Sequence, residues 1–407
     1  MTFETYQEAE QWVLDRKTIL VYFEPFLAAM HALNDPQNGL SCIHVAGTNG
    51  KGSTCRFLYD IAKPSYKQVG MYTSPHLENI RDRIRINDEW IPENVFLRYV
   101  NEHMDVIETY NLGMVGICSM LCFLWFQERK VDLAILEVSL GGRYDTTNVI
   151  EAPLVSVITS IGFDHMEFFG NTLKEIAHEK DGIIKPGVPV VLGPMKAEAY
   201  QEIADCAADM HAEIIELPET FVLTEDGLEL EGDHYAMRVG AAYLKQNAAV
   251  ALLAAEQAGI DIHSAAVHAA LAESQWPGRF ETVSEHPHII LDGAHNPDGM
   301  EALCREVKRL SSPHVAVFSA LKDKQGPLMR QMLEAEFDAV ITTEFTYYRA
   351  DHADHLGGQH EVKDWKQAIQ EAVHLAGETG TTVITGSLYF IAAVRKYLHD
   401  DSQFSEK

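Results

Sequence analysis

Residues 44 to 54 read HVAGTNGKGST: a short apolar run, then small residues gathered around one lysine. A strand that ends near Val45 and turns here into a helix presents backbone N–H groups and a helix N-terminus to an anion, and Lys51 adds a point charge. That is the chemistry of a phosphate cradle. The strict G-x-x-x-x-G-K-[ST] spacing requires glycine at 45 and a hydroxyl at 52, whereas the chain has Val45 and Gly52, with its hydroxyls at Ser53 and Thr54. The stretch is a phosphate loop of irregular spacing or a glycine-rich turn with a solvated lysine. The strand-like CIHVAG before it favours the loop.

Working outward, short β-rich runs alternate with helical patterns: CIHVAG, VGMYTS, VDLAILEVS, APLVSVITSIG and VPVVLG before residue 280, then PHIILDG, HVAVFSA, DAVITTEF and TTVITGS after it. Such alternation predicts doubly wound parallel sheets. The break at QWPGRF (275–280) splits the series, so the reading is a P-loop, mostly parallel α/β domain over residues 1–276 and a smaller Rossmann-like α/β domain over 281–407. Residues 211–240 read instead as a small antiparallel excursion with a hairpin signal at Glu225-Asp226-Gly227, and the tail 399–407 reads as disordered. Cys118 and Cys122, four apart in ICSMLCFLWF, predict one face of a buried helix.

The 407 residues carry 32 basic and 60 acidic side chains, a formal net charge of -28. That balance argues against nucleic acid or an anionic membrane as partner, so a phosphate site must be locally basic. Lys51, Arg81, Arg83, Arg85, Arg143, Lys185 and Arg279 cluster near the glycine-rich motifs and supply that charge. No stretch has transmembrane length and the acidic N-terminus lacks a signal peptide's pattern, which leads to the expectation of a cytoplasmic protein. Six cysteines without a CxxC pair read as buried hydrophobes.

In open α/β sheets, ligands bind beyond the carboxyl ends of strands. Ser74, Glu137, Asp164 with His165, and Asp292 with His295 all follow strand-like runs. Hard oxygen ligands and an imidazole there can hold Mg2+ against phosphates on the loop. The plainer readings are that Glu137 caps or pairs with Arg143, that His165 is a satisfied loop histidine, and that Lys180 is an exposed helical lysine.

Taken together, HVAGTNGKGST, YTSPHLENIRDRIRIN, LEVSLGGRYDTTNVI, TSIGFDHMEFFGNTLKEIAHEKDGIIKPG, WPGRFE, LDGAHNPDG, ALKDK and TGSLYF run in an order and spacing that resembles the folylpolyglutamate synthase / dihydrofolate synthase family of the Mur ligase superfamily. The resemblance spans nearly the whole chain. It implies an ATP-dependent ligase that adds L-glutamate to the γ-carboxylate of reduced folates through an acyl phosphate, with dihydropteroate as a further acceptor. It implies ATP and two Mg2+ as cofactors, folate and L-glutamate as small-molecule partners, and a monomer.

By motif, the resemblance assigns Gly47, Thr48, Asn49, Gly50, Lys51, Gly52, Ser53, Thr54, Asn247, Arg279 and Asp292 to the nucleotide, with Arg279 and Asp292 reaching it from the second domain. Ser74, Glu137 and His165 are the implied metal ligands. Lys180 matches a lysine that the family carbamylates to N6-carboxylysine, a further metal ligand. Arg83, Asp145, His295 and Ser387 fall to the substrates, and Lys51, His165, Lys180 and His295 to catalysis.

The chain departs from the family pattern at Val115 and Gly116, where an aromatic–Glu pair is usual, at Ser139 for glycine, at Asp181 for a small residue, and in FEPFLAAM (23–30). These fall mostly around the ring end of a folate, so dihydropteroate is expected to be a poorer acceptor than a folate whose own glutamate gives Arg83 or Lys185 an anionic handle. The competing readings are a Mur-type amide ligase for another carboxylate and a non-catalytic nucleotide- or folate-binding paralogue.

Overall fold

A computed structural model describes residues 2–16 and 23–400. It divides into two compact units, Met1–Arg238 with Leu244–Gln275, and Val239–Tyr243 with Trp276–Lys407. The tail at 401–407 lies outside the described residues.

The first unit is built on an eight-stranded sheet. In chain order its strands are β1 (Cys42–Ala46), β2 (Val69–Tyr72), β3 (Ile84–Ile86), β4 (Glu89–Trp90), β5 (Leu133–Glu137), β6 (Val155–Ile158), β7 (Val190–Leu192) and β8 (Ile214–Glu216). They lie in the order β4-β3-β2-β5-β1-β6-β7-β8. All pairings are parallel except those of β3 with β2 and with β4, which form an antiparallel edge. The sequence reading did not include that edge: each of its strands is only two or three residues long, too short for a period to register.

Every residue of β1, β5 and β6 is buried, as expected for strands covered by helices on both faces. One cover is the helix Met114–Arg129. Ten of its residues are buried, Cys118 and Cys122 among them, so it is an internal helix rather than an amphipathic surface one. Gly70 on β2 allows the Phe126 ring to lie on the strand, since a Cβ there would stand 2.7 Å from the ring. Phe26, from FEPFLAAM, is fully buried and lies 3.6 Å from the position a Gly116 side chain would take.

Residues 211–240 split. Ile214–Glu216 joins the main sheet as parallel β8, because its alternation is equally that of an edge strand. Only β9 (Val222–Leu223), β10 (Gly227–Leu230) and β11 (Asp233–Ala236) form the expected antiparallel excursion.

The second unit carries β12 (Glu281–Glu285), β13 (His288–Asp292), β14 (His314–Phe318), β15 (Ala339–Glu344), β16 (His360–Asp364) and β17 (Thr381–Thr385) in the order β12-β13-β17-β14-β15-β16. Only β12 is antiparallel. Register aligns Asp292 and Phe318 with Thr385, so three strands end together. Among the described residues, no helix is long and apolar enough to cross a membrane, and all six cysteines are unbridged.

Candidate functional site

The strand order of the first unit reverses at β1. The chain leaves β1 for β2 and β5 on one side and later returns to β6 on the other, which makes the carboxyl ends of β5, β1 and β6 a topological switch point. The loop 47–50 lies there, followed by the helix Lys51–Ala62, whose N-cap is Gly50 in the left-handed region at φ 88°. Two glycines are required by space as well as by backbone. A Cβ on Gly47 (φ 149°) would meet Thr159 Oγ1 at 2.0 Å, and one on Gly50 would meet Asn247 Oδ1 at 2.5 Å.

The loop is laced to the end of β6. Thr48 N–H donates to Ser160 O (2.8 Å), Asn49 N–H to Ser160 Oγ (3.0 Å), and Thr159 Oγ1 donates to Asn49 O (2.6 Å). Lys51 Nζ folds back onto Gly47 O (2.9 Å) and Thr48 O (3.2 Å), which fixes its charge over the loop. Thr54 Oγ1 is buried without a hydrogen-bond partner. A cradle that excludes side chains and a buried hydroxyl at the helix start suit a bound polyphosphate.

Around the loop, Glu137 is 3% exposed at the end of β5 and accepts the Ser74 N–H at 2.9 Å. Asp164 Oδ1 accepts the His165 N–H at 2.9 Å, and His165, at φ 51°, starts the short helix Met166–Phe169 with its ring edge-on to Phe169. Groups of three His, Cys, Asp or Glu ligand atoms within 4.8 Å of one another occur elsewhere, at His178–Asp181–Glu202 and Glu231–Glu256–His263, and contain neither Glu137 nor His165. Mg2+ needs few protein ligands when phosphates and water supply the rest. The Ser74–Glu137 pair and His165 therefore fit a phosphate-bound ion.

Lys180 corrects the sequence reading most sharply. It is 5% exposed, not solvated, with Nζ 5.5 Å from the Phe169 ring centre. Burial, and next the charge of Lys51, push its ammonium down to about 7, against the opposing pull of Asp164, Glu179 and Asp145. Its place is set by backbone-on-backbone packing: a Cβ on Gly142 would lie 2.7 Å from Glu179 O, and one on Gly182 would lie 2.4 Å from Arg143 Cα. Asp181, the next residue, is also buried. Its Oδ1 takes a 2.6 Å hydrogen bond from Arg143 Nη2. Arg143 therefore pairs with Asp181, and Glu137 with the Ser74 backbone.

Asp145 accepts four hydrogen bonds, from the N–H groups of Ser139, Leu140 and Thr147 and the Thr147 hydroxyl, so its carboxylate shapes the 139–147 loop. Arg83 is 2% exposed and donates through Nε to His76 Nδ1 at 3.0 Å. Burial, with Arg83 beside it, pushes that imidazole down to about 3, so His76 is a neutral acceptor. Lys185 sits by the opening of β1. Its Nζ donates to Asn148 O at 3.4 Å, and it interacts electrostatically with Glu151 and Cys42. The anionic handle expected of Lys185 therefore falls away, since ligands gather at the other end of the strands.

In the second unit Asp292 is 3% exposed. It accepts hydrogen bonds from Tyr243 OH (2.6 Å), Phe280 N–H (2.9 Å) and Ala294 N–H (2.9 Å). Arg279 packs beside Gly293, where a Cβ would meet its Nη1 at 2.4 Å. His295 Nδ1 lies 2.8 Å from Gly293 O, and since a carbonyl only accepts, Nδ1 carries the proton and Nε2 is the basic nitrogen. Ser387, 1% exposed, follows β17, with its Oγ and those of Ser319 and Thr385 buried and unpartnered. The sequence reading missed Tyr243, Phe169, Ser319 and Thr385. Only Tyr243 left a signal, four residues before Asn247 on the helix Ala242–Gln257.

Comparison with known proteins matches the Mur ligase middle domain to residues 116–209 and the Mur ligase glutamate ligase domain to residues 278–388. A dihydrofolate synthase/folylpolyglutamate synthase of Bacillus subtilis (strain 168) is 36% identical over 431 aligned residues, spanning 97% of this chain and 100% of that protein. The chain belongs to the folylpolyglutamate synthase/dihydrofolate synthase family. Among solved structures of that family, E. coli FolC in complex with DHPP and ADP superposes with a TM-score of 0.90 at 28% identity, covering 98% of each chain. A bifunctional folylpolyglutamate synthase/dihydrofolate synthase with Mn, AMPPNP and L-glutamate bound gives 0.85 at 28% identity, over 97% of this chain and 98% of that one.

Proposed function

We propose that this family member is an ATP-dependent ligase that adds L-glutamate to the γ-carboxylate of reduced folates. The observation that carries the reading is the convergence at one switch point of the loop 47–51, Glu137 with Ser74, Asp164 with His165, and buried Lys180. Residues 1–276 are assigned to ATP and 281–407 to glutamate. Gly47 to Thr54 hold the triphosphate, Asn247 the adenine side, and Arg279 and Asp292 the nucleotide.

In the first step a folate carboxylate oxygen attacks the γ-phosphorus of ATP and ADP leaves, giving an acyl phosphate. In the second the glutamate amine attacks the acyl carbon and phosphate leaves. Lys51 neutralises charge that develops on the transferring phosphoryl group. Mg2+, held by Ser74, Glu137 and His165, supplies further charge neutralisation when bound. His295 accepts the amine proton through Nε2, while Ser387 and Arg83 hold carboxylates and Asp145 keeps the 139–147 loop in shape.

Carbamylation of Lys180 consumes the neutral amine and CO2 and yields a carbamate and a proton. A pKa near 7 makes the neutral amine abundant at neutral pH, where an ordinary lysine near 10.4 is almost wholly protonated. The resulting anion would be a ligand for a second Mg2+, and Arg143 holds the neighbouring Asp181 through Oδ1. The intact mass of the protein, taken with and without bicarbonate, tests this: an increment of one CO2 lost in Lys180→Ala supports it, and its absence refutes it.

The test of the main reading is ADP release with glutamate and a panel of acceptors: tetrahydrofolate, its methylene and formyl forms, dihydropteroate and a cell-wall precursor. Reduced folates should turn over, with a lower kcat/KM for dihydropteroate. Equal or faster turnover of dihydropteroate would remove the acceptor preference, and turnover of the cell-wall precursor alone would favour a ligase for another carboxylate. ADP release with none of them would leave a binding protein.

A further inference from the structure

His178 and Asp181 lie three apart on the helix Leu173–Asp181 and so share a face. Glu202 reaches them from the helix Ala197–Asp209 packed alongside. His178 Nδ1 is 2.9 Å from Glu202 Oε1 and 3.9 Å from Asp181 Oδ2, and the three ligand atoms lie within 4.8 Å of one another. A tetrahedral ion with bonds of about 2.0–2.1 Å sets its ligands about 3.4 Å apart. The observed separations bracket that figure.

The second observation concerns Asp181 itself. Its side chain is 1% exposed, and while Oδ1 is held by Arg143, Oδ2 is buried with no hydrogen-bond partner and faces His178. A carboxylate oxygen is costly to bury without a donor or a cation. An open pocket of about 380 Å3, lined by Phe169, Lys174, Glu175, His178, Glu179 and Glu202, leads to the cluster. Arg143 on Oδ1 is the kind of outer partner that fixes the orientation of a metal-binding carboxylate.

We propose that His178, Asp181 and Glu202 form a divalent-cation site separate from the phosphate loop, taking a zinc-class ion through one imidazole nitrogen and two carboxylate oxygens. Away from the phosphates that supply most oxygen ligands of an ion at the loop, one imidazole and two carboxylates suit a zinc-class ion better than Mg2+, which needs near-ideal octahedral oxygen coordination. The ion takes the place of the hydrogen that His178 Nδ1 directs at Glu202, and in the neutral ring that hydrogen moves to Nε2, so binding at Nδ1 needs a change of tautomer. Because Asp181 follows Lys180 and holds Arg143 of the 139–147 loop, the ion braces the back of the helix that carries Lys180.

The site is tested on the chelator-treated full chain without nucleotide, by Co2+ titration followed in visible absorption and by Zn2+ calorimetry. Wild type and Glu137→Gln should bind one ion alike. His178→Ala and Glu202→Gln should each bind it roughly 100-fold more weakly, at least the upper range for loss of an outer partner, with unchanged far-UV circular dichroism. Equal affinity in wild type and the two variants overturns the proposal. So does loss of the ion in Glu137→Gln, which would place it beside the phosphate loop.

Discussion

The two units end their strands in different chemistry. In the first, the carboxyl ends of β5, β1 and β6 carry charges that constrain one another: burial and then Lys51 depress Lys180, while Asp164, Glu179 and Asp145 oppose that shift. In the second, the ends of β13, β17 and β14 carry one carboxylate with three donors and the buried, unpartnered hydroxyls of Ser387, Thr385 and Ser319. Similar parallel topologies thus support a charge-handling end and an orienting end. The fold supplies the position, and the residues after each strand decide the use.

The largest effect should come from Lys51→Ala, which removes the charge at the first unit's strand ends. We expect kcat/KM for ADP formation to fall by at least about 10³-fold, near 4 kcal/mol, while the loss of two hydrogen bonds to Gly47 O and Thr48 O costs about 1–2 kcal/mol of stability. A folded variant with unchanged ADP release would break the comparison. In the second unit, His295→Ala should lower kcat about 100-fold as a lost general base. If kcat stays level and only the KM for glutamate rises, His295 binds without moving a proton.

The next effect separates the first unit's core from its site. His44 is fully buried on β1, with Nε2 2.8 Å from Thr147 Oγ1, and burial pushes its imidazole down to about 3. The unfolded chain protonates it below about pH 6.5 and the folded chain does not. The unfolded state therefore binds more protons between these values, and stability present above pH 6.5 is lost as pH falls. At pH 5 that loss is about 2 kcal/mol. Urea melts of His44→Gln should show a pH slope flatter by that amount, and parallel slopes would refute the assignment. The smallest effect is Tyr243→Phe, which removes one of three donors to Asp292 and should lower kcat/KM about fivefold, near 1 kcal/mol. A drop as large as that of Lys51→Ala would mean that Asp292 handles charge, contrary to the contrast drawn above.

Each β-rich run noted in the sequence became a strand, since buried parallel strands announce themselves as short apolar stretches between helical patterns. Of the strands not foreseen, β4, β12 and β16 are edges, where exposed positions break the apolar pattern, and β3, between β2 and β4, is only three residues long. Within the candidate site, the placement of Lys51, Glu137 and His165 at or just after strand ends was legible from the apolar runs before them. The burial of Lys180 was not, because it depends on Gly142 and Gly182 letting two backbones touch, a tertiary fact with no local period. The Arg143–Asp181 pair spans 38 positions of sequence and was invisible for the same reason.

Phe26 faces Gly116, and both lie in stretches read from the sequence as departures from the family pattern. A Cβ at 116 would sit at ordinary contact distance from Phe26 and Leu112, so there is room for a methyl group and little beyond it. Restoring a long acidic side chain at 116 alone would drive it into a fully buried ring, and trimming Phe26 alone would open a void. The two positions form one heritable unit: a lineage that rebuilds this corner must cross a less stable intermediate unless both change together.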